Sequence, residues 1–155
     1  LRSIDAADRR LIAALQRDSR QSMAELAEKV ALSPSACHRR IKQLEADGVI
    51  QGYGARVDGK ALGFEMEFFV EVSLGSQDSA TLKAFEAAVR RVPEIMECHL
   101  MTGQADYIMR VAAADAADYE RFHRERIGEL PGVSRIQSSL VIRTIGRAAG
   151  YPVRG

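Results

Sequence analysis

LSPSACHRRIKQLEADGVIQGYGARVD, residues 32–58, is the stretch whose reading decides the fold. Ser33 can cap a helix, and Pro34 fits the first helical position, where its missing N–H would be unpaired anyway. The spacing predicts a helix from there to Asp47, with Gly48 supplying the left-handed stop. At about 100° per residue, Cys37, Ile41 and Leu44 fall on one side. Ser35, Arg39 and Lys42 fall on the other, with His38 and Gln43 at the margins. Such a helix can dock on a small core and offer a short basic face to a phosphate-lined groove. After Gly48, the run from Val49 to Tyr53 reads as a short strand leaving the helix, in the place of a wing.

Working back toward the start, Asp5 can cap a helix that carries Leu11, Ile12 and Leu15 on one side. Asp18-Ser19-Arg20-Gln21 breaks that pattern. Ser22 and Glu25 then form a capping box, in which each side chain reaches the other's backbone N–H. Met23, Leu26, Ala27 and Val30 give this second helix its apolar stripe, and only Ala31-Leu32 separates it from the third. Two short helices on a tight turn, the second with a basic outer face, make a helix-turn-helix; the strand behind makes it winged. The DNA-binding candidates are Ser33, Ser35, His38, Arg39, Arg40, Lys42 and Gln43. Arg40 lies nearer the core flank, where it packs its stem and pairs locally or touches a phosphate. Cys37 reads as core filler.

Composition bounds the rest. At 155 residues with 46% apolar content, the chain holds one large domain or two small ones. No apolar run is long enough to cross a bilayer, and no signal peptide pattern opens the sequence, so no membrane association is expected. The two cysteines, Cys37 and Cys98, are far apart in apolar settings. That points away from a disulfide framework or a zinc knuckle and toward a reducing, cytoplasmic location. Net charge is +1, but it is unevenly spread: residues 1–60 hold eleven Lys and Arg against eight Asp and Glu, and residues 61–155 hold eleven against thirteen. The sign of that bias suits an N-terminal nucleic-acid-binding unit.

The Gly-spaced run Asp58-Gly59-Lys60-Ala61-Leu62-Gly63 marks a boundary. We therefore expect a DNA-binding domain over 1–58, a linker over 59–64, a second domain over 65–147 and a fraying tail over 148–155. In Met66 to Leu74 the even positions are apolar and the odd ones mostly polar, the mark of a half-buried strand. A helix with Leu82, Phe85 and Val89 follows and ends before Pro93. Two strands, Ile95 to Thr102 and Asp106 to Ala112, flank the turn Gly103-Gln104-Ala105. A second helix, capped by Asp115, turns Tyr119, Phe122, Ile127 and Leu130 inward. Val133 to Ile145 alternates again. The order β-α-β-β-α-β predicts a ferredoxin-like sandwich, an antiparallel four-stranded sheet with two helices on one face. The fold class is α+β. The other face would carry Phe69 and Val141 among polar residues, which reads as an oligomer face.

Catalysis finds little support. Cys98 and His99 are adjacent on a strand and so point to opposite faces. His123 has no spaced carboxylate or second His to make a metal site. No enzyme activity, cofactor or metal is expected.

The chain resembles the leucine-responsive/asparagine-regulator (Lrp/AsnC, feast/famine) family of prokaryotic transcriptional regulators. The resemblance rests on LSPSAC, the RRIKQLE run and GVIQGY in the first half, and on ECHLMTGQADYIMRV and LPGVSRIQSSLVIRTI in the second. It implies a sequence-specific regulator of transcription that binds double-stranded DNA. It also implies homodimers that assemble further, commonly into octamers, and a small amino-acid effector held between sensing domains of neighbouring dimers. Carried over by position, the effector-binding residues are Leu100, Gly103, Gln104, Ala105, Asp106, Ala116, Ser138, Leu140 and Val141. Asp106 could take the ligand's ammonium and the Gly103–Ala105 turn its carboxylate, while the apolar members gauge side-chain size. The family often carries an acidic residue directly after that glycine; here it is Gln104. The alternatives are an architectural DNA-binding protein with no ligand switch, which would contact mainly phosphates, or a ferredoxin-like enzyme.

Overall fold

A computed structural model describes residues 3–148 and 150–153. The chain forms two compact units. One runs to Arg56 and takes in the chain again from Ile145; the other is Val57–Thr144.

The first unit is built on three helices: α1 (Ala6–Arg17), α2 (Met23–Val30) and α3 (Pro34–Ala46). Each begins on a side-chain cap. Asp5 and Asp8 make a capping box on α1, Ser22 and Glu25 make another on α2, and the Ser33 hydroxyl accepts the Ala36 N–H on α3. Between α2 and α3 the chain turns at Ala31, which sits at φ 55°. A non-glycine residue there gives up about 1–2 kcal/mol, and the tightness of the turn accounts for it. Gly48, at φ 70°, ends α3 as expected. Leu11, Leu26, Ala27, Val30, Cys37 and Ile41 form the core, with Leu15, Met23, Leu32 and Ile50 packed against it.

The wing differs from expectation. No strand forms over Val49 to Tyr53, and residues 51–58 are exposed and irregular, without ladder partners. A strand exists only by pairing, and the apolar pattern of GVIQGY cannot reveal that no ladder forms along it.

The second unit carries β1 (Met66–Leu74), α4 (Ser79–Val89), β2 (Ile95–Leu100), β3 (Tyr107–Ala113), α5 (Ala116–Phe122) and β4 (Val133–Leu140). The sheet order is β2-β3-β1-β4, and every pairing is antiparallel. This is the ferredoxin-like arrangement. Phe68, Val70 and Val72 of β1 and Tyr107, Met109 and Val111 of β3 meet Phe85, Val89, Phe122 and Ile127 in one core. The opposite sheet face is uncovered in the single chain, and Phe69 there is 43% exposed.

Two details follow from spacing and pairing. Phe122 and Ile127 are five residues apart, one too many for an α-helical face. The chain absorbs the extra residue in a π-helical turn, His123–Ile127, closed by the Gly128 N–H to His123 carbonyl bond at 3.0 Å. Both inward side chains are thereby buried. The last strand is shorter than its alternation implied. It stops at Leu140, opposite Phe68, and the Val141 N–H makes a final bond to the Glu67 carbonyl. Beyond that point β1 has almost run out of partners, and Ile142 is 95% exposed. Likewise β2 ends at Leu100 rather than Thr102, where the turn to β3 begins.

Among the described residues no helix is long and apolar enough to cross a membrane, and no cluster of His, Cys, Asp and Glu could hold a metal ion.

Candidate nucleic-acid interface and effector region

Helix α3 sorts its side chains as its periodicity requires. Cys37, Ile41 and Leu44 are buried. Ser35, His38, Arg39, Lys42 and Gln43 are exposed on the opposite side. They differ in how far they are committed within the chain. Arg39 has no hydrogen bond or ion pair among the described residues. The Ser33 and Ser35 hydroxyls lie 3.2 Å apart, and Ser33 is engaged as the cap. Gln43 donates to Asp47 Oδ1 at 2.9 Å. The Lys42 ammonium meets Glu45 Oε2 at 2.9 Å.

Arg40 is placed differently. Its guanidinium sits 2.8 Å from Asp5 Oδ2 and 2.8 Å from Asp8 Oδ1, and the Asp8 side chain is fully buried. The bonds run from α3 to the first turn of α1, thirty-five and thirty-two residues away in sequence. Of the two roles read from sequence, local pairing is the one this geometry gives Arg40. The Asp8 N–H at its carboxylate, and then Arg40, hold Asp5 below the usual carboxylate range.

Three residues at this surface were not singled out in the sequence. Glu45 accepts from both Lys42 and the Tyr53 hydroxyl, the latter at 3.0 Å. The i, i+3 spacing of Lys42 and Glu45 on a helix was the available signal. Asp8 stands at the third position of the α1 capping box, a local signal of its cap role but not of its bond to Arg40, and nothing local marked Tyr53.

The effector candidates divide between the two sides of the sheet in the second unit. Gln104 and Ala105 lie beside Glu71, Ser73, Arg135 and Gln137 in a small polar recess on the open face. Gly103, at φ 129°, makes the turn before them. Ser138 and Leu140 pair with Val70 and Phe68 and so share the helix-covered side. There the Tyr119 hydroxyl bonds Ser138, and its ring stacks on Phe68 with centroids 3.6 Å apart. Ala116 opens the same helix one turn earlier. Val141 follows the end of β4. Leu100 is exposed opposite Tyr107 on the outer strand β2, beside α4.

Asp106 is already employed. Its Oδ2 accepts the Leu74 N–H at 2.7 Å, and its Oδ1 accepts the Gln77 amide at 2.6 Å. The carboxylate fastens the β2–β3 turn to the end of β1, a role that its place beside a glycine turn did not disclose. Gln77 and Tyr119 are the supporting residues missed here; each lies far in sequence from what it supports.

With this geometry in view, comparison with known proteins is direct. Residues 4–51 match the winged helix-turn-helix DNA-binding family, and residues 67–150 match the Lrp/AsnC ligand-binding domain family. The chain is 38% identical to the Bkd operon transcriptional regulator of Pseudomonas aeruginosa over 97% of its own length and 98% of that protein's. It is 35% identical to the leucine-responsive regulatory protein of Salmonella typhimurium, covering 93% of this chain and 88% of that one. A Neisseria meningitidis transcriptional regulator solved with L-methionine superposes with a TM-score of 0.91 at 32% identity, covering 97% of both chains. A feast or famine regulatory protein of Mycobacterium tuberculosis, also solved with L-methionine, gives 0.87 at 30% identity, over 96% of this chain and 99% of that one. Helix-turn-helix, four-stranded sandwich and full-length similarity agree: the chain belongs to the Lrp/AsnC family of DNA-binding transcriptional regulators.

Proposed function

We propose that this regulator binds specific DNA sequences through the outer face of α3, and that a small amino acid bound between sensing units of neighbouring copies modulates its assembly or its DNA affinity. The single observation that carries the DNA half is Arg39. It projects from the second helix of a helix-turn-helix with no competing partner among the described residues, while Arg40 beside it is turned to α1. Ser35, His38, Lys42 and Gln43 flank it; Ser33 holds the helix start and can offer its hydroxyl alongside.

The effector half rests on relatives solved with L-methionine. It is also supported by the way the candidate residues divide. Gly103, Gln104 and Ala105 lie at the open face, and Ala116, Ser138 and Leu140 at the helix side, an arrangement suited to a site that two copies complete. Asp106 shapes the turn, and the backbone of that turn faces the ligand. Phe69 and its neighbours on the uncovered sheet are the surface for a homodimer, from which an octamer is built. Occupancy can change function only through different affinity for two assembly states. Those states would present pairs of α3 helices at different spacings along the duplex.

Mobility-shift titration over a range of salt tests the first half. Arg39→Ala should weaken binding and flatten the salt dependence by about one unit of slope. Wild-type affinity and slope in that variant would remove α3 from the groove. Calorimetry with the twenty amino acids, and light scattering with each, test the second half. Silence across the panel would remove the effector half and leave the DNA half standing.

A further inference from the structure

Lys42 and Glu45 are usually a pair of little consequence on a helix surface. Here the carboxylate has a second partner. Glu45 Oε2 accepts from the Lys42 ammonium at 2.9 Å, and Oε1 accepts from the Tyr53 hydroxyl at 3.0 Å. The Glu45 side chain is 28% exposed and that of Lys42 64% exposed. The Lys42 bond first and the Tyr53 bond second hold Glu45 below the usual carboxylate range. Burial, with Glu45 adding to it, raises the Tyr53 phenol, so Tyr53 stays a donor at neutral pH. The carboxylate is thus clamped from the segment that follows α3 and cannot swing away from the lysine.

A free lysine is a compact charge on a flexible stem and will serve any phosphate within reach. Lys42 is pointed in one direction and its charge is offset. Asp5 and Asp8 offset Arg40. Arg39 is therefore the uncompensated cation of α3 among the described residues. The field α3 offers to bulk DNA is weak, and the phosphate attraction that dominates non-specific binding is reduced with it.

We propose that Glu45 is a specificity-determining residue of this DNA-binding unit: it withholds Lys42 from indiscriminate phosphate contact and aims it at one position in the groove, with Tyr53 holding Glu45 in place. The proposal rests on α3 being the DNA-contacting helix. Specificity is a difference between two affinities, so a device that weakens binding to the wrong duplex serves as well as a contact to the right one.

The test uses the full-length protein and two duplexes at fixed salt. One is selected from a random library by the wild-type protein; the other is unrelated, of equal length and base composition. In Glu45→Gln, affinity for the unrelated duplex should rise about tenfold and its salt slope should steepen by about one unit. Affinity for the selected duplex should hold or fall. Adding Lys42→Ala should return the unrelated-duplex affinity to the wild-type value. Tyr53→Phe changes no charge, yet should lower the ratio of the two affinities in the same direction. Equal gains on both duplexes in Glu45→Gln, or an unchanged ratio in Tyr53→Phe, would overturn the proposal. A wild-type protein that selects no sequence at all would remove sequence-specific recognition itself, and the proposal with it.

Discussion

Arg40→Ala removes the guanidinium that lies 2.8 Å from Asp8 Oδ1 and 2.8 Å from Asp5 Oδ2. The consequence falls on Asp8, whose side chain is 0% exposed. Removing one partner of a buried ion pair costs up to about 3–5 kcal/mol, and Asp8 keeps part of its compensation within the unit. The Asp5 N–H still approaches Asp8 Oδ2, at 3.4 Å, so the lower end of that range applies, about 3 kcal/mol. A unit of this size has a total stability of only several kcal/mol. The loss should therefore appear as local opening of the helix-turn-helix. Cys37 reports it, because its thiol is fully buried in α3. In a Cys98→Ser background, with opening fast relative to labelling, the rate of Cys37 alkylation follows the open population. It should rise on the order of a hundredfold. A second variant separates anchoring from DNA contact. Asp5→Asn keeps a competent N-cap but weakens the hold on Arg40. If Arg40 were a phosphate contact held in reserve, DNA affinity would increase; if it sets the seating of α3, affinity should stay level or fall. Tighter DNA binding by Asp5→Asn, with Cys37 no more reactive in Arg40→Ala than in wild type, would refute the reasoning.

Three further outcomes follow from the same geometry. Asp106→Ala strands the Leu74 N–H and should cost about 1–3 kcal/mol in denaturant unfolding of the second unit, besides abolishing any amino-acid binding seen by calorimetry; unchanged stability would mean that the turn is held elsewhere. Burial first, and then Glu86, push the Cys98 thiol up to about 11, so at pH 8 iodoacetamide should label it on the order of a hundredfold more slowly than an ordinary thiol of pKa near 8.5. The carboxylates of Asp5, Glu25 and Asp78 are all held below their usual values, mainly by the backbone N–H of Asp8, the backbone N–H of Ser22 and the Ser76 hydroxyl respectively. A depressed folded-state pKa stabilises above the ordinary carboxylate value and loses that contribution as pH falls through the depressed one. The melting temperature should thus be level from neutrality to about pH 5 and decline below about pH 4, less steeply in Asp78→Asn.

How much of this was legible in the sequence depends on how local its cause is. Caps are local: Asp5, Ser22, Ser33, Asp78 and Asp115 all sit where their side chains accept from the following turn, and each is visible within four residues. Alternation in β1 is local too, and its buried positions are the even ones. The length of β4 is not, because a strand continues only while its neighbour does. The residues from Ile142 to Ile145 keep the apolar pattern, but only Met66 of β1 is left beyond the Glu67 bond to pair with them. The absent wing strand has the same cause. Even the π-helical turn was latent in the five-residue step from Phe122 to Ile127, although periodicity alone could equally have placed one of the two outside the core.

The site was harder to read than the fold because a charged residue looks the same whether it is offered outward or consumed within the chain. Arg39, Arg40 and Lys42 are three cations within four positions of one helix. Their spacing distinguished a flank from a face and could go no further. What separates them is the location of carboxylates: Asp8 and Asp5 more than thirty residues upstream, Glu45 one turn ahead, and none bonded to Arg39 among the described residues. The same holds at the β2–β3 turn, where the charge of Asp106 is visible in sequence but the bonds its two oxygens accept from Leu74 and Gln77 are not. Buried or doubly engaged carboxylates thus decide which of this chain's polar groups remain available. Reading α3 as a uniformly basic face would therefore overstate its pull on bulk DNA by two charges out of three. A salt slope for non-specific binding that counts Arg39, Arg40 and Lys42 as three released counterions, rather than about one, would show that the carboxylates yield to phosphate when DNA arrives.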